Sequence, residues 1–230
     1  MILKKWEKLP YHLKNDSVKK YYDILYKKRF SLFAKRIFDI VAAILTFICL
    51  SPVFIIISIA IKIDSKGSVM FRQERVTQYG KLFRIYKFRT MVNDADKIGT
   101  QVTTNNDTRI TKIGKVLRKL RLDEIPQLLN IISGDMSFVG TRPEVVKYVT
   151  SYTDEMMATL LLPAGVTSEA SIKYKDEERL LSNAKNADEV YVNNVLHEKM
   201  RYNLKSLENY SFFNDLKTMF KTVFAVLKRD

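Results

Sequence analysis

The chain has 230 residues, 47% of them apolar, which suffices for one domain with a real core plus appendages and excludes general disorder. Its 39 Lys and Arg against 25 Asp and Glu leave a net charge of +14, which calls for an anionic partner: nucleic acid, anionic lipid or a phosphorylated substrate. One cysteine excludes an internal disulfide, two histidines with that cysteine leave no zinc set or Cys-His dyad, and the seven glycines form neither G-x-G-x-x-G nor a phosphate loop.

Residues 1–34 are basic and aromatic, with Trp6, Tyr11, Tyr21, Tyr22, Tyr26, Phe30 and Phe33 set among lysines. Such a mixture suits the headgroup layer of a membrane; a solvated arm packed on the domain is the alternative. No signal-peptide pattern is present, because the apolar stretch comes too late and lacks a small-residue cleavage site.

From Ile40 to Ile61 the chain carries no charge, long enough for a membrane span, and Cys49 lies inside this run, as fits a chain facing the cytosol. Two details oppose a simple crossing. Ser51-Pro52 sits at its middle, where proline removes a helix hydrogen bond and kinks the axis. Basic residues flank both ends (Lys27, Lys28, Arg29, Lys35 and Arg36 before, Lys62, Lys66, Arg72 and Arg75 after), and a span would place one cluster outside. Each half, about 11 residues or roughly 16 Å long, is enough to enter one leaflet and return.

Val69-Met70-Phe71 and Leu82 to Phe88, separated by Tyr79-Gly80, predict a β-hairpin on which Arg72, Arg75, Arg84, Lys87 and Arg89 are charged positions. Residues 92–110, rich in Asn, Asp and Thr, predict a polar loop with room for a short helix. Ile113, Val116/Leu117 and Leu120 then fall at helical spacing, leaving Lys112, Lys115, Lys119 and the arginines on the wetter side. A second helix is expected to start at Asp123, with Asp123 as N-cap, Pro126 in the first turn, and Ile125, Leu128, Leu129 and Ile132 as its buried stripe. The adjacent carboxylates Asp123 and Glu124 are therefore either a plain cap on a solvated face or a catalytic pair, since both predict the same local structure.

Residues 171–209 are polar and partly helical by pattern. Phe213, Leu216, Phe220, Val223, Phe224 and Leu227 recur at helical spacing among Lys217, Lys221, Lys228 and Arg229. They form an amphipathic basic helix, for a membrane interface or for a core.

The motifs Lys35-Arg36-Ile37-Phe38-Asp39, Ser51-Pro52, Tyr86-Lys87-Phe88-Arg89-Thr90-Met91, Leu122-Asp123-Glu124-Ile125-Pro126-Gln127-Leu128, Gly134-Asp135-Met136-Ser137-Phe138-Val139-Gly140 and Arg142-Pro143 occur in that order. On them the chain resembles the bacterial sugar transferase family, the monotopic polyprenyl-phosphate phosphoglycosyl transferases, closely from Lys35 to Glu144 and loosely beyond. The resemblance implies an α+β, mostly helical small domain with a β-hairpin, built on a re-entrant helix broken at Ser51 and Pro52 and on interfacial amphipathic helices. It divides the chain into an interfacial arm (1–34), the re-entrant helix (35–63) and a cytosolic catalytic domain (64–230).

The activity so implied is transfer of a sugar 1-phosphate from a UDP-sugar to polyprenyl phosphate, at the cytoplasmic face of a bacterial inner membrane. Asp123 is the expected nucleophile, kept ionised by neighbouring arginines and a metal, and Glu124 its partner. Both are expected to hold Mg²⁺, with Mn²⁺ able to substitute. Arg118, Arg142, Lys87 and Arg89 are the expected phosphate contacts. Anionic lipid is an expected partner and nucleic acid is not. The alternative, a non-enzymatic membrane-peripheral protein with a lipid- or nucleic-acid-binding surface, leaves Asp123, Glu124 and Arg142 without a task. Two departures stand out: Thr141 precedes Arg142 where the family has proline, and the loop Pro163 to Ser171 lacks the family's Pro-Gly-Ile-Thr-Gly pattern. Donor contacts from that loop therefore do not carry over, nor are they assigned to Lys173 or Lys175.

Overall fold

The structure, a computed structural model, describes residues 3–93, 95, 107–174 and 187–227. Two 3-10 turns, Trp6–Lys8 and Tyr11–Leu13, lead into α1 (Asp16–Lys27), where the Asn15 side chain accepts from Val18 N. Leu3, Leu9, Val18, Tyr21, Tyr22 and Leu25 are buried together with Leu161, Leu162, Leu207 and Tyr210. The first residues thus close one side of the core. Tyr11, Phe30 and Phe33 stay exposed, and Lys19 lies over the rings of Trp6 and Tyr22.

The helix α2 (Arg29–Asp64) carries the uncharged run and is the one described helix long and apolar enough to cross a membrane. Pro52 lies inside it, and its missing N–H would leave the Ile48 carbonyl without its partner one turn on. Ser51 Oγ donates to that carbonyl at 2.8 Å. The Ser-Pro pair therefore relaxes the helix without orphaning an acceptor in an apolar setting. One face of α2 is covered by the domain along both halves. Ala43 and Phe47 pack with Phe83, Leu128, Ile131 and Met136; Val53, Phe54, Ile57 and Ile61 pack with Phe88 and Leu117. The opposite face leaves Val41, Leu45, Ile48, Ile55, Ile56 and Ile59 uncovered.

The hairpin forms as predicted: β1 (Met70–Val76) pairs antiparallel with β2 (Leu82–Phe88) across a turn in which Tyr79 and Gly80 take positive φ. The polar stretch 92–110 lies largely outside the described residues. α3 (Lys112–Lys119) is capped by the Thr111 side chain on Gly114 N. Its stripe is narrower than predicted: Leu117 is buried and Ile113 packs beside it, but Val116 (53%) and Leu120 (51%) are exposed.

The start predicted for the next helix is corrected. Asp123 sits in a 3-10 turn, Leu122–Glu124, preceded by Arg121 in the left-handed region (φ 57), and α4 (Gln127–Ser133) begins four residues later with no side-chain cap. Pro126 sets that start by excluding a continuous helix through its own missing N–H. β3 (Met136–Val139) follows, then α5 (Val146–Val149) and a 3-10 stretch, Met156–Leu161, before β4 (Ala164–Thr167) pairs parallel with β3. Gly140 and Gly165 meet backbone to backbone: a Cβ on Gly165 would lie 2.1 Å from Gly140 N.

α6 (Glu169–Lys173), α7 (Ala187–Val190), a π-helical stretch Tyr191–Leu196, α8 (His197–Glu208) and α9 (Phe212–Leu227) complete the chain. α9 turns polar residues inward. Asp215 lies 2.9 Å from Lys35 Nζ, Thr222 meets Thr167 at 2.7 Å, and Lys221 meets Glu169 at 2.6 Å. Its Phe213, Phe220, Val223 and Phe224 point away from the protein, so the stripe is not a core face. The described residues are mostly helical, with two small sheets and one long apolar helix near the N-terminus, as the α+β expectation requires.

Candidate active site

Three segments bring the charged groups together. Lys87 comes from β2, Asp123 and Glu124 from the 3-10 turn, and Arg142 from the turn after β3. Asn130 of α4 splints the first two, accepting from Tyr86 N and donating to Arg84 O, both at 2.9 Å. Arg36 of α2 donates to the carbonyls of Ile131 and Ile132 at the end of α4, where unpaired carbonyls favour a cation. Asp39, also of α2, accepts from Ser137 Oγ at 2.8 Å and so holds β3. The Lys35 to Asp39 motif is thus a scaffold under the site, since Lys35 itself is buried against Asp215 and Asp39.

Glu124 is gripped from two sides, by Lys87 Nζ at 2.9 Å and Arg142 Nη2 at 2.5 Å. Burial alone would raise its carboxyl, but Arg142 and Lys87 outweigh that and hold it well below the usual range. Asp123 goes the other way. Burial pushes its carboxyl up; Lys87 opposes the shift, the Glu124 charge adds to it, and Arg121 and Arg118 pull it back in part. Burial thus outweighs the positive side chains at Asp123, which is 8% exposed, whereas the sequence expectation of an ionised carboxylate counted a bound metal beside those side chains. Asp123 Oδ1 is buried and has no hydrogen-bond partner. Glu124 is thus held by Lys87 and Arg142, while Asp123 keeps one buried oxygen without a hydrogen-bond partner beside positive charge.

Of the expected phosphate contacts, Lys87 and Arg142 join the pair and Arg118 acts on Asp123 electrostatically. Arg89 does not join. It is buried and donates to Ser65 O, Lys66 O and Ser65 Oγ at 2.7, 2.8 and 2.9 Å, clasping the end of α2 to the end of β2. Lys173 is exposed on α6, and Lys175 lies outside the described residues. Gln127 was not singled out from the sequence: it is 1% exposed, one helical turn from Asp123, and neither polar atom of its amide has a partner. Its place in the Asp123 to Leu128 motif was the available signal. Arg121 was likewise missed, since no sequence pattern marks an arginine for positive φ, a conformation that costs roughly 1–3 kcal/mol and gathers at functional sites.

Among the described residues no three carboxylate, histidine or cysteine side chains form a metal-ligand group. Mg²⁺ commonly takes one or two carboxylates and completes its shell with substrate phosphates and water. The orphaned Asp123 Oδ1 fits that use; Glu124, with both oxygens turned to Lys87 and Arg142, fits it only by giving up those bonds.

The sequence model of the bacterial sugar transferase family matches residues 30–229. The chain is 34% identical to a UDP-N-acetylgalactosamine-undecaprenyl-phosphate N-acetylgalactosaminephosphotransferase of Aeromonas hydrophila, over 85% of this chain and 44% of that protein. It is 36% identical to a UDP-glucose:undecaprenyl-phosphate glucose-1-phosphate transferase of Escherichia coli K12, over 83% of this chain and 39% of that one. It is also 35% identical to the uncharacterized sugar transferase EpsL of Bacillus subtilis 168, over 84% of this chain and 87% of that protein. The chain therefore spans less than half the length of the first two relatives and most of the third.

Proposed function

Because this chain belongs to the bacterial sugar transferase family, we propose that it moves a sugar 1-phosphate from a UDP-sugar to a polyprenyl (undecaprenyl) phosphate. UMP leaves and a polyprenyl-diphosphate-sugar is formed, an early membrane step in glycoconjugate assembly. The observation that carries the reading is the split pair: an unpartnered Asp123 oxygen beside a Glu124 fixed by Lys87 and Arg142.

In the first half-reaction Asp123 attacks the donor's β-phosphorus, the bond from that phosphorus to the bridging oxygen breaks, and UMP departs with the electron pair. The acyl phosphate left on Asp123 is then attacked by an oxygen of the polyprenyl phosphate, which frees the carboxylate. Lys87 and Arg142, held by Glu124, direct positive charge at the transferring group without reorganising. The expected cofactor is Mg²⁺, with Mn²⁺ able to substitute, held at Asp123 and supplying neutralisation of the diphosphate. Purified protein offered a panel of UDP-sugars with undecaprenyl phosphate is expected to release UMP from at least one. No UMP from any of them, together with a steeply salt-dependent affinity for DNA, would point to the non-enzymatic alternative.

The membrane seat belongs to the same reading: α2 dips into the cytoplasmic leaflet and returns, and α9 lies in the interface on anionic lipid. Both halves of α2 rest on one domain while the far face is apolar, and the outward phenylalanines of α9 extend that surface, which supports this arrangement. Lys35 is a poor reporter because it is buried, so exposed Lys27 and Lys66 are the positions to use. With Cys49 replaced, cysteines at 27 and 66 should both resist an impermeant maleimide in intact cells and both react after permeabilisation. Labelling of one alone from outside would refute re-entry.

A further inference from the structure

Glu144 follows Arg142 by two residues and takes no part in the Asp123–Glu124 pair, yet it is 6% exposed. Its Oε1 accepts from the Tyr191 hydroxyl at 2.5 Å and lies 3.6 Å from Lys199 Nζ. Lys199, 4% exposed, donates to Tyr191 Oη at 3.0 Å. The main chain of the same turn is braced as well, since Glu144 O accepts from Val76 N at 2.9 Å and Pro143 O accepts from Arg75 Nη1 at 3.2 Å.

A buried ion pair is seldom the most stabilising filling for such a space, because desolvating both charges consumes most of what their attraction returns. What it does supply is direction: a carboxylate fixed by one hydrogen bond and one ion pair has one orientation, where apolar side chains would allow several. Tyr191 opens the π-helical stretch, a widened turn that recurs at functional positions, and its ring packs on Tyr148 at 4.6 Å between centroids. The C-terminal segment, uninformative as a sequence, therefore reaches the turn that carries Arg142.

We infer that Glu144, oriented by Tyr191 and Lys199, is a positioning residue for Arg142. It holds the turn Arg142–Glu144 so that the guanidinium stays on Glu124 and faces the phosphate of the incoming donor. The inference rests on reading Asp123 and Glu124 as the transferase centre.

The test is a double-mutant cycle on the full chain, with undecaprenyl phosphate and whichever UDP-sugar of the panel the wild type turns over. Glu144→Ala should lower kcat/KM about 100-fold, the scale of an ångström-sized misplacement. In an Arg142→Ala background the same change should cost nothing further, because its effect runs through Arg142 alone. A purely structural role would instead give losses that multiply, and that result, or wild-type kcat/KM in Glu144→Ala, overturns the inference. If Glu144→Ala does not fold, Tyr191→Phe, which deletes one hydroxyl, goes through the same cycle under the same two criteria. A wild type that turns over no UDP-sugar overturns the transferase reading and this inference with it; an active wild type with additive variants overturns the inference alone.

Discussion

Asp123→Asn is expected to fold, bind membranes and release no UMP from any UDP-sugar. The wild type, given donor without polyprenyl phosphate, should release UMP once per enzyme and keep a sugar-phosphate adduct on Asp123. The amide has no anionic oxygen to attack phosphorus, so both the burst and the adduct vanish. Folding is spared for a physical reason. Burial raises the Asp123 carboxyl above its unfolded value, so the folded state binds that proton more tightly and the ionised group opposes folding at neutral pH. Replacing it with a neutral isostere removes that opposition, and the thermal midpoint at pH 7 should be no lower than wild type. The same raised value sets a pH signature: kcat/KM should rise with pH through an apparent value above the ~3.9 of an ordinary aspartate. Lys87→Gln should move that limb higher, because Lys87 is the leading group that lowers it. UMP appearing only with polyprenyl phosphate, and no trapped adduct, would make the reaction a direct transfer.

Exhaustive EDTA treatment should abolish turnover, a loss of about a hundredfold or more, with Mg²⁺ or Mn²⁺ restoring it. Lys87 and Arg142 both pair with Glu124, which already offsets much of their charge. A diphosphate brought against the buried Asp123 carboxylate therefore needs further neutralisation. The protein should keep its thermal midpoint in EDTA without donor, since among the described residues no ligand group holds a metal alone. Undiminished turnover in EDTA would show that the arginines suffice. Donor choice is a separate matter: the loop Pro163 to Ser171 departs from the family pattern, so the sugar preferred by a relative is not expected to transfer.

What was legible in the sequence was local. The uncharged run with Ser51-Pro52, the hairpin around Tyr79-Gly80 and the amphipathic tail follow from residue spacing, and the ordered motifs identified Asp123, Glu124, Lys87 and Arg142 by resemblance. Periodicity states which face a side chain takes and not what stands opposite it, and there the readings diverged. Lys87 and Arg89 lie two apart, yet one reaches Glu124 while the other clasps Ser65 and Lys66. The Phe stripe of α9 suited an interface before a core, and the structure puts Asp215, Thr218 and Thr222 on the side facing the protein. The sequence placed Asp123 beside arginines and a metal, and the tertiary structure adds burial, which raises its carboxyl while Lys87 and Arg142 hold Glu124. Only the folded chain brings residues 35–39 against Ser137 and Asp215, and Glu144 against Tyr191 and Lys199. A carboxylate's charge, partner and role depend on burial and on groups remote in sequence, and those are set when the chain closes on itself.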